Sequence, residues 1–248
     1  ASGGGTNTIR MISGASDTTR YSITGGAGSD AITVGRGAYT INGNGGTETI
    51  TVDSTATLGS TYSITGGTSN VMTLGLGTST VMGGTGNDSI FVGSGNATIT
   101  GNGGLDTIRA VSGTANSVYS ITGGSSTDRI ILGLGTATIN TASGGLDTIT
   151  VNTQGNYLWS FATATVGVSL NMTSGFATFS GNIQKVTGGT MQTVQGSANG
   201  DTLIAGAGMV MLDGNGGNDT FNMGNANNSQ SSALFIVGSS TSTNTLTF

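Results

Sequence analysis

Carboxylates are nearly all the side-chain chemistry that this sequence of 248 residues offers, with 11 Asp and Glu against 6 Lys and Arg. Histidine and cysteine are absent, Lys185 is the sole lysine and Glu48 the sole glutamate. Thiol nucleophiles, Cys/His zinc sites, disulfides and a Ser-His-Asp triad are therefore excluded. Eight of the eleven acids share one position, the sixth of a nine-residue unit: Asp30, Glu48, Asp88, Asp106, Asp128, Asp147, Asp201 and Asp219. Intervening units carry Tyr39, Ala97, Ala137 and Val210 there instead. If units alternate between two edges of a stack, the acids form a ladder along one edge. Stacked strands lie about 4.8 Å apart, and like charges at that spacing repel unless neutralised. A hard cation does this, and glycine turns supply carbonyls toward a calcium shell of about six to eight oxygens. The metal-free alternative has each Asp capping turn amides through Asx-type bonds. General acid–base catalysis usually employs His or poised carboxylates; these acids already have a structural explanation, so the chain reads as no enzyme.

The elements that must position this ladder are written in the repeats. GGGTNTI at 3–9 returns as NGGTETI at 44–50, and GGLDTIR at 103–109 as GGLDTIT at 144–150, each 41 residues on. Residues 25–51 divide into GGAGSDAIT, VGRGAYTIN and GNGGTETIT, and residues 83–109 into GGTGNDSIF, VGSGNATIT and GNGGLDTIR. Near the C-terminus come GSANGDTLI, AGAGMVMLD and GNGGNDTFN. Nine residues make a short strand plus a tight turn, whose positive-φ positions suit glycine. Eighteen make one coil. The apolar residue at position eight (Ile32, Ile50, Ile90, Ile108, Leu203, Phe221) points inward, and only stacking of coils buries it. The expected fold is all-β, a parallel β-solenoid.

Coil length varies. The steps Asn7–Asp30, Glu48–Asn70 and Asp106–Asp128 are 23, 22 and 22 residues, against 18 for Asp30–Glu48, Asn70–Asp88, Asp88–Asp106 and Asp201–Asp219, because of the polar insertions SGASDTTR, DSTATLGS and SGTANSV. These are expected to bulge outward. Residues 1–147 read as regular repeats, 148–200 as an irregular stretch and 201–248 as further coils, all one continuous domain. Tyr157, Trp159, Phe161, Phe176 and Phe179 concentrate in the irregular stretch, which suggests a wider or capped core.

The pattern GGxGxDxUx, with U large and apolar, resembles the RTX repeat of secreted bacterial proteins. GGAGSDAIT and GGTGNDSIF match it at every defined position. The resemblance implies a right-handed calcium-bound β-roll, type I secretion and an extracellular or cell-surface address. It makes Asp30, Asp88, Asp106 and Asp219 the best matched calcium ligands, with Glu48, Asp128, Asp147 and Asp201 next. Asn7, Asn70 and Asn244 stand where the family has Asp, and GGSSTD at 123–128 lacks the fourth-position glycine.

A net charge of −5 without a basic run argues against nucleic acid, and no apolar stretch of about 18 residues spans a membrane. The opening ASGGGTNTIR has neither initiator Met nor an apolar signal region, which reads as a mature fragment or an excised segment. The leading expectation is an extracellular structural protein, a surface layer, adhesin stalk or filament. Its partner is another copy, stacked through end coils such as those of Ile9 and Leu246. The alternative is the repeat region of a larger secreted enzyme or toxin. Ice binding is weaker: positions seven and nine pair Thr49 with Thr51 and Thr148 with Thr150, but Arg109 and Arg129 interrupt. A cell-surface glycan could meet Tyr21, Tyr62 and Tyr119, which recur with the coil. The triplets at 87–89 and 218–220 fit glycosylation sequons but are more simply parts of the repeat.

Overall fold

The computed structural model describes residues 4–12, 16–141, 144–189, 191–223 and 234–247. Parts of two expected features lie outside them: residues 13–15 of the first insertion and 224–233 of the last coils. Every regular element among the described residues is a strand, and the strands form two sheets of fourteen and eleven. The chain alternates between them, so consecutive passes through one sheet pair in parallel, about eleven turns in all. This is the β-solenoid expected from the repeats. The registers Ala31↔Thr49 and Val71↔Ser89 give coils of 18 residues, Thr8↔Ala31 one of 23 and Thr49↔Val71 one of 22.

Alternating β-branched and hydroxyl residues form these strands because each fits a pleated surface with one face dry and one wet. In the fourteen-stranded sheet Ile32, Ile50, Met72, Ile90 and Ile108 stack directly on one another, each 0% exposed. Ile41, Ile64, Val81 and Ile99 do the same from the eleven-stranded sheet.

Where the repeat breaks, the sheets cease to match. The fourteen-stranded sheet takes in Phe176–Phe179 and Ser169–Asn171 between Asn182–Thr187 and Thr202–Ile204, with Phe176–Phe179 antiparallel to both neighbours. Opposite, Asn156–Ser160 pairs directly with Thr193–Gln195. One wall is thus two strands longer than the other, and large rings fill the wedge. Tyr157, Trp159, Phe161 and Phe179 are buried, with Trp159–Phe161 and Phe161–Phe179 centroids 5.0 and 5.6 Å apart. The indole N–H of Trp159 donates to Thr141 Oγ1 at 2.8 Å. Phe176, grouped with these rings from sequence, lies outside the core under Lys185 Nζ.

Insertions of alternate coils reach over the short coil between them. Ser60 Oγ and Thr57 Oγ1 donate to Asp17 Oδ1, and Arg36 of the intervening coil grips the same carboxylate at 3.2 Å through two nitrogens. Arg36, Thr57 and Ser60 hold the Asp17 carboxyl down to about 2. Asp17 carries no repeat signature, yet it joins three coils.

Candidate functional site

All eight acids of the sixth position lie on one edge of the stack, and all are 0–3% exposed. They are turned into the solenoid. One oxygen of most of them accepts a backbone N–H from the corresponding residue one coil back. Asp88 N–H donates to Asp106 Oδ1 at 2.8 Å, Asp106 N–H to Asp128 Oδ1 at 2.9 Å, and Asp128 N–H to Asp147 Oδ1 at 2.8 Å. Past the irregular stretch, Val168 N–H donates to Asp201 Oδ1, Asp201 N–H to Asp219 Oδ1, and Asp219 N–H to Asn244 Oδ1. The residues that depart from the family pattern belong to the same ladder: Asn7 N–H reaches Asp30 Oδ1, and Asn70 N–H reaches Asp88 Oδ1, both at 2.7 Å. Glu48 is one methylene longer, and its Oε2 passes on to accept Gly67 N–H at 2.9 Å.

The second carboxyl oxygen explains the glycine five residues before Asp30, Asp88, Asp106, Asp128, Asp201 and Asp219. Oδ2 of Asp30, Asp88, Asp106 and Asp219 fills the space a Cβ would take on Gly25, Gly83, Gly101 and Gly214. Carbonyl oxygens border the same space, Gly43 O beside Gly25 and Gly101 O beside Gly83. Oδ2 of Asp30, Asp88, Asp106, Asp128 and Asp219, and Oε1 of Glu48, are buried without a hydrogen-bond partner. At Asn7 and Asn70 the equivalent atom is an amide nitrogen, which donates to Gly25 O at 3.2 Å and Gly83 O at 2.8 Å. The position therefore calls for a donor aimed at a glycine carbonyl. An ionised carboxylate has none; a protonated one supplies it from Oδ2–H.

Electrostatics act in the same direction. Burial raises the carboxyls of Glu48, Asp88, Asp128, Asp201 and Asp219 above the ordinary range. Burial first, with the neighbouring Asp128 and Asp88 charges, pushes Asp106 up to about 7 against the pull of the Asp88 amide. Asp147 also rises to about 7, through burial first. The ladder is not uniform. Gln184 Nε2 donates to Asp147 Oδ2 at 3.1 Å, and Ser197 N–H and Oγ both donate to Asp201. Those two carboxyls have donors on both oxygens.

A calcium ion takes about six to eight oxygens at roughly 2.3–2.6 Å. Most rungs here leave one carboxyl oxygen and one carbonyl, the other oxygen being committed to an amide. No group of three or more His, Cys, Asp or Glu that could hold an ion occurs among the described residues. The acids in this arrangement do not fit the calcium shell expected from the resemblance. The geometry of Asp88, Asp106, Asp128 and Asp219 instead suits carboxyls that hold protons and tie coil to coil.

The tyrosines read as a glycan stripe are also turned inward. Tyr62 and Tyr119 are 2% exposed, like Tyr39 at 3%, and the hydroxyls of Tyr62, Tyr119 and Tyr39 donate to Gly35 O, Gly93 O and Met11 O in turn. Tyr21 is half-buried and stacked on Tyr39 at 4.8 Å. Tyr39, Tyr62 and Tyr119 thus keep their ring faces inside the solenoid. Sequence reasoning missed Gln184 and Ser197, which fall in the irregular stretch where no periodic signal marks them. No family model, curated protein or solved structure matches this chain.

Proposed function

We propose that this chain is a structural protein, a stiff rod that builds an extracellular bacterial assembly by stacking end to end on copies of itself. The observation that supports the reading is how the coils of Asn7 and Asn244 complement each other. Thr8–Met11 and Thr245–Thr247 close the fourteen-stranded sheet, and each is paired on one side only among the described residues. Their ladder residues complement each other. Most interior rungs accept on Oδ1 an amide from the coil before; Asn7 Oδ1 has that role open, and Asn244 N–H has the matching donor role. Docking the Thr245–Thr247 edge of one copy on the Thr8–Met11 edge of the next continues both the ladder and the sheet. Such a head-to-tail contact is heterologous and does not close, so it propagates as a fibre. The apolar rungs Ile9, half-buried, and Leu246, 46% exposed, become interior in that contact. The extracellular setting and type I secretion rest on the resemblance to RTX repeats.

The test is electron microscopy and sedimentation of the purified chain with and without a charged cap fused to either end. Fibres with an axial repeat on the order of 60 Å, from about eleven to fourteen strands at about 4.8 Å each, are expected, and either cap should stop growth while leaving a folded monomer. A chain that stays monodisperse at high concentration overturns the reading and leaves the repeat region of a larger secreted enzyme or toxin as the better account.

A further inference from the structure

We propose that the outer face of the eleven-stranded sheet, from Arg20 to Asn140, binds ice. Positions seven and nine of the acid-bearing units lie on the other sheet. There the outward residues are mixed, with Arg10, Val71, Phe91, Arg109, Arg129 and Ile131 among the threonines. The intervening units build a different surface. Seven successive strands, Arg20–Gly26 through Thr136–Asn140, pair in parallel without a slip of register. Their middle outward column carries a hydroxyl on every coil, from Ser22, Thr40, Ser63, Thr80 and Thr98 on to Thr138. Among the described residues, none of these hydroxyls is tied up by another protein group. The next column holds Thr24, Thr65, Thr100 and Thr122, with asparagine at 42 and 140 and a single Met82. No outward residue from Ala38 to Asn140 on these strands is charged.

The result is a two-dimensional grid. Hydroxyls recur about every 4.8 Å along the axis and, on every strand but Ala38–Asn44, about every 6.7 Å along the strand, a rectangular spacing of the kind an ice face presents. Threonine is stiff at χ1, so its hydroxyl and methyl are placed before water arrives. Each hydroxyl can donate once and accept twice. Two shallow open depressions follow the column, one bordered by Thr40, Ser63 and Thr80, the other by Thr80, Thr98 and Ser120. Water bound in them would be ranked at the coil spacing.

Outward threonine is common in strands for reasons of packing alone, but the same coils do not keep it on their other face. A glycan would need open ring faces, whereas Tyr39, Tyr62 and Tyr119 beneath this sheet are buried and Tyr21 is half-buried and stacked on Tyr39. A second copy would need about 800 Å² of contact per partner. Seven coils by three columns, the first running from Arg20 and Ala38 through Thr61, Thr78, Asn96 and Val118 to Thr136, present about 30 Å by about 13 Å, roughly half of that.

The test uses the whole chain, independent of whether it forms fibres. Wild type is expected to shape ice crystals, hold a gap between melting and freezing points, and inhibit recrystallisation. Thr80→Lys and Thr98→Lys should each remove most of that gap, and Thr51→Lys on the opposite face should leave it within about a fifth of wild type. Circular dichroism melts confirm that all three variants remain folded; should a central variant unfold, Thr98→Val replaces it. Wild type without any freezing gap at millimolar concentration overturns the proposal. So does equal loss in Thr51→Lys. Retention of wild type on insoluble cellulose or chitin without ice activity, abolished by Thr98→Lys, would replace ice with a polysaccharide.

Discussion

Replacing Asp106 by asparagine should stabilise the protein at alkaline pH and leave it unchanged near pH 4. The substituted side chain would keep the Oδ1 that accepts Asp88 N–H, and its amide nitrogen would face the Gly123 carbonyl as that of Asn70 faces Gly83 O at 2.8 Å. The carboxyl of Asp106 is raised from 3.8 to about 7. Below pH 4 folded and unfolded chains both hold the proton. Between 4 and 7 the unfolded chain releases it while the native chain keeps it, so the native state binds more protons and stability falls as pH rises. Above about 7 the loss is complete. About three pH units at about 1.4 kcal/mol each set a ceiling of about 4 kcal/mol. An effective interior dielectric nearer 20 than 4 argues for about half of that. About 2 kcal/mol corresponds to roughly 4–8 °C in a chain of this size.

Thermal melts of wild type and Asp106→Asn at pH 4 and pH 8 measure this. Because a solenoid opens locally, hydrogen exchange at the Thr107–Ala110 amides should report the same ordering. The other raised carboxyls have the same sign, so wild type itself should melt higher at pH 4.5 than at pH 8. An Asp106→Asn variant less stable than wild type at pH 8, or a wild type that gains stability from pH 4 to pH 8, would refute the protonated ladder.

Melting temperature in EDTA and in millimolar calcium should agree within about a degree, whereas a ligand at about 100 times its dissociation constant would add about 2.7 kcal/mol. Gly101→Ala should lower stability by several kcal/mol or prevent folding, since its Cβ meets Asp106 Oδ2 and Gly123 O, while Gly45→Ala, whose nearest neighbour is 3.6 Å away, should cost less than about 1 kcal/mol by denaturant titration. Trp159→Ala should cost about 3–5 kcal/mol, read as early loss of protection in the strands Asn156–Ser160 and Thr193–Gln195, because the wedge between unequal walls has no other ring of that size.

Nine-residue periodicity, glycine placement and the inward aliphatic at position eight determined the fold, because strand alternation and turn φ are local properties that stacking merely repeats. The same periodicity placed Asp30, Glu48, Asp88, Asp106, Asp128, Asp147, Asp201 and Asp219 on one edge. It did not tell which way they point. A side chain at a turn can face solvent and an ion, or the core and an amide, with identical spacing. Only the assembled stack decides, by offering the N–H of the coil before and the Cβ-free space over Gly25, Gly83 and Gly101. The hydroxyl grid belongs to the other sheet, where a Ser or Thr recurs in every intervening unit from Ser22 to Thr138, with no acid beside it to mark the edge. The antiparallel strand Phe176–Phe179 and the Asp17 link between insertions left no periodic mark, since the first breaks the repeat and the second joins residues tens of positions apart. Sequence determined what recurs from coil to coil; tertiary structure decided what faces what, because burial and hydrogen-bond partners exist only once neighbouring coils are in place.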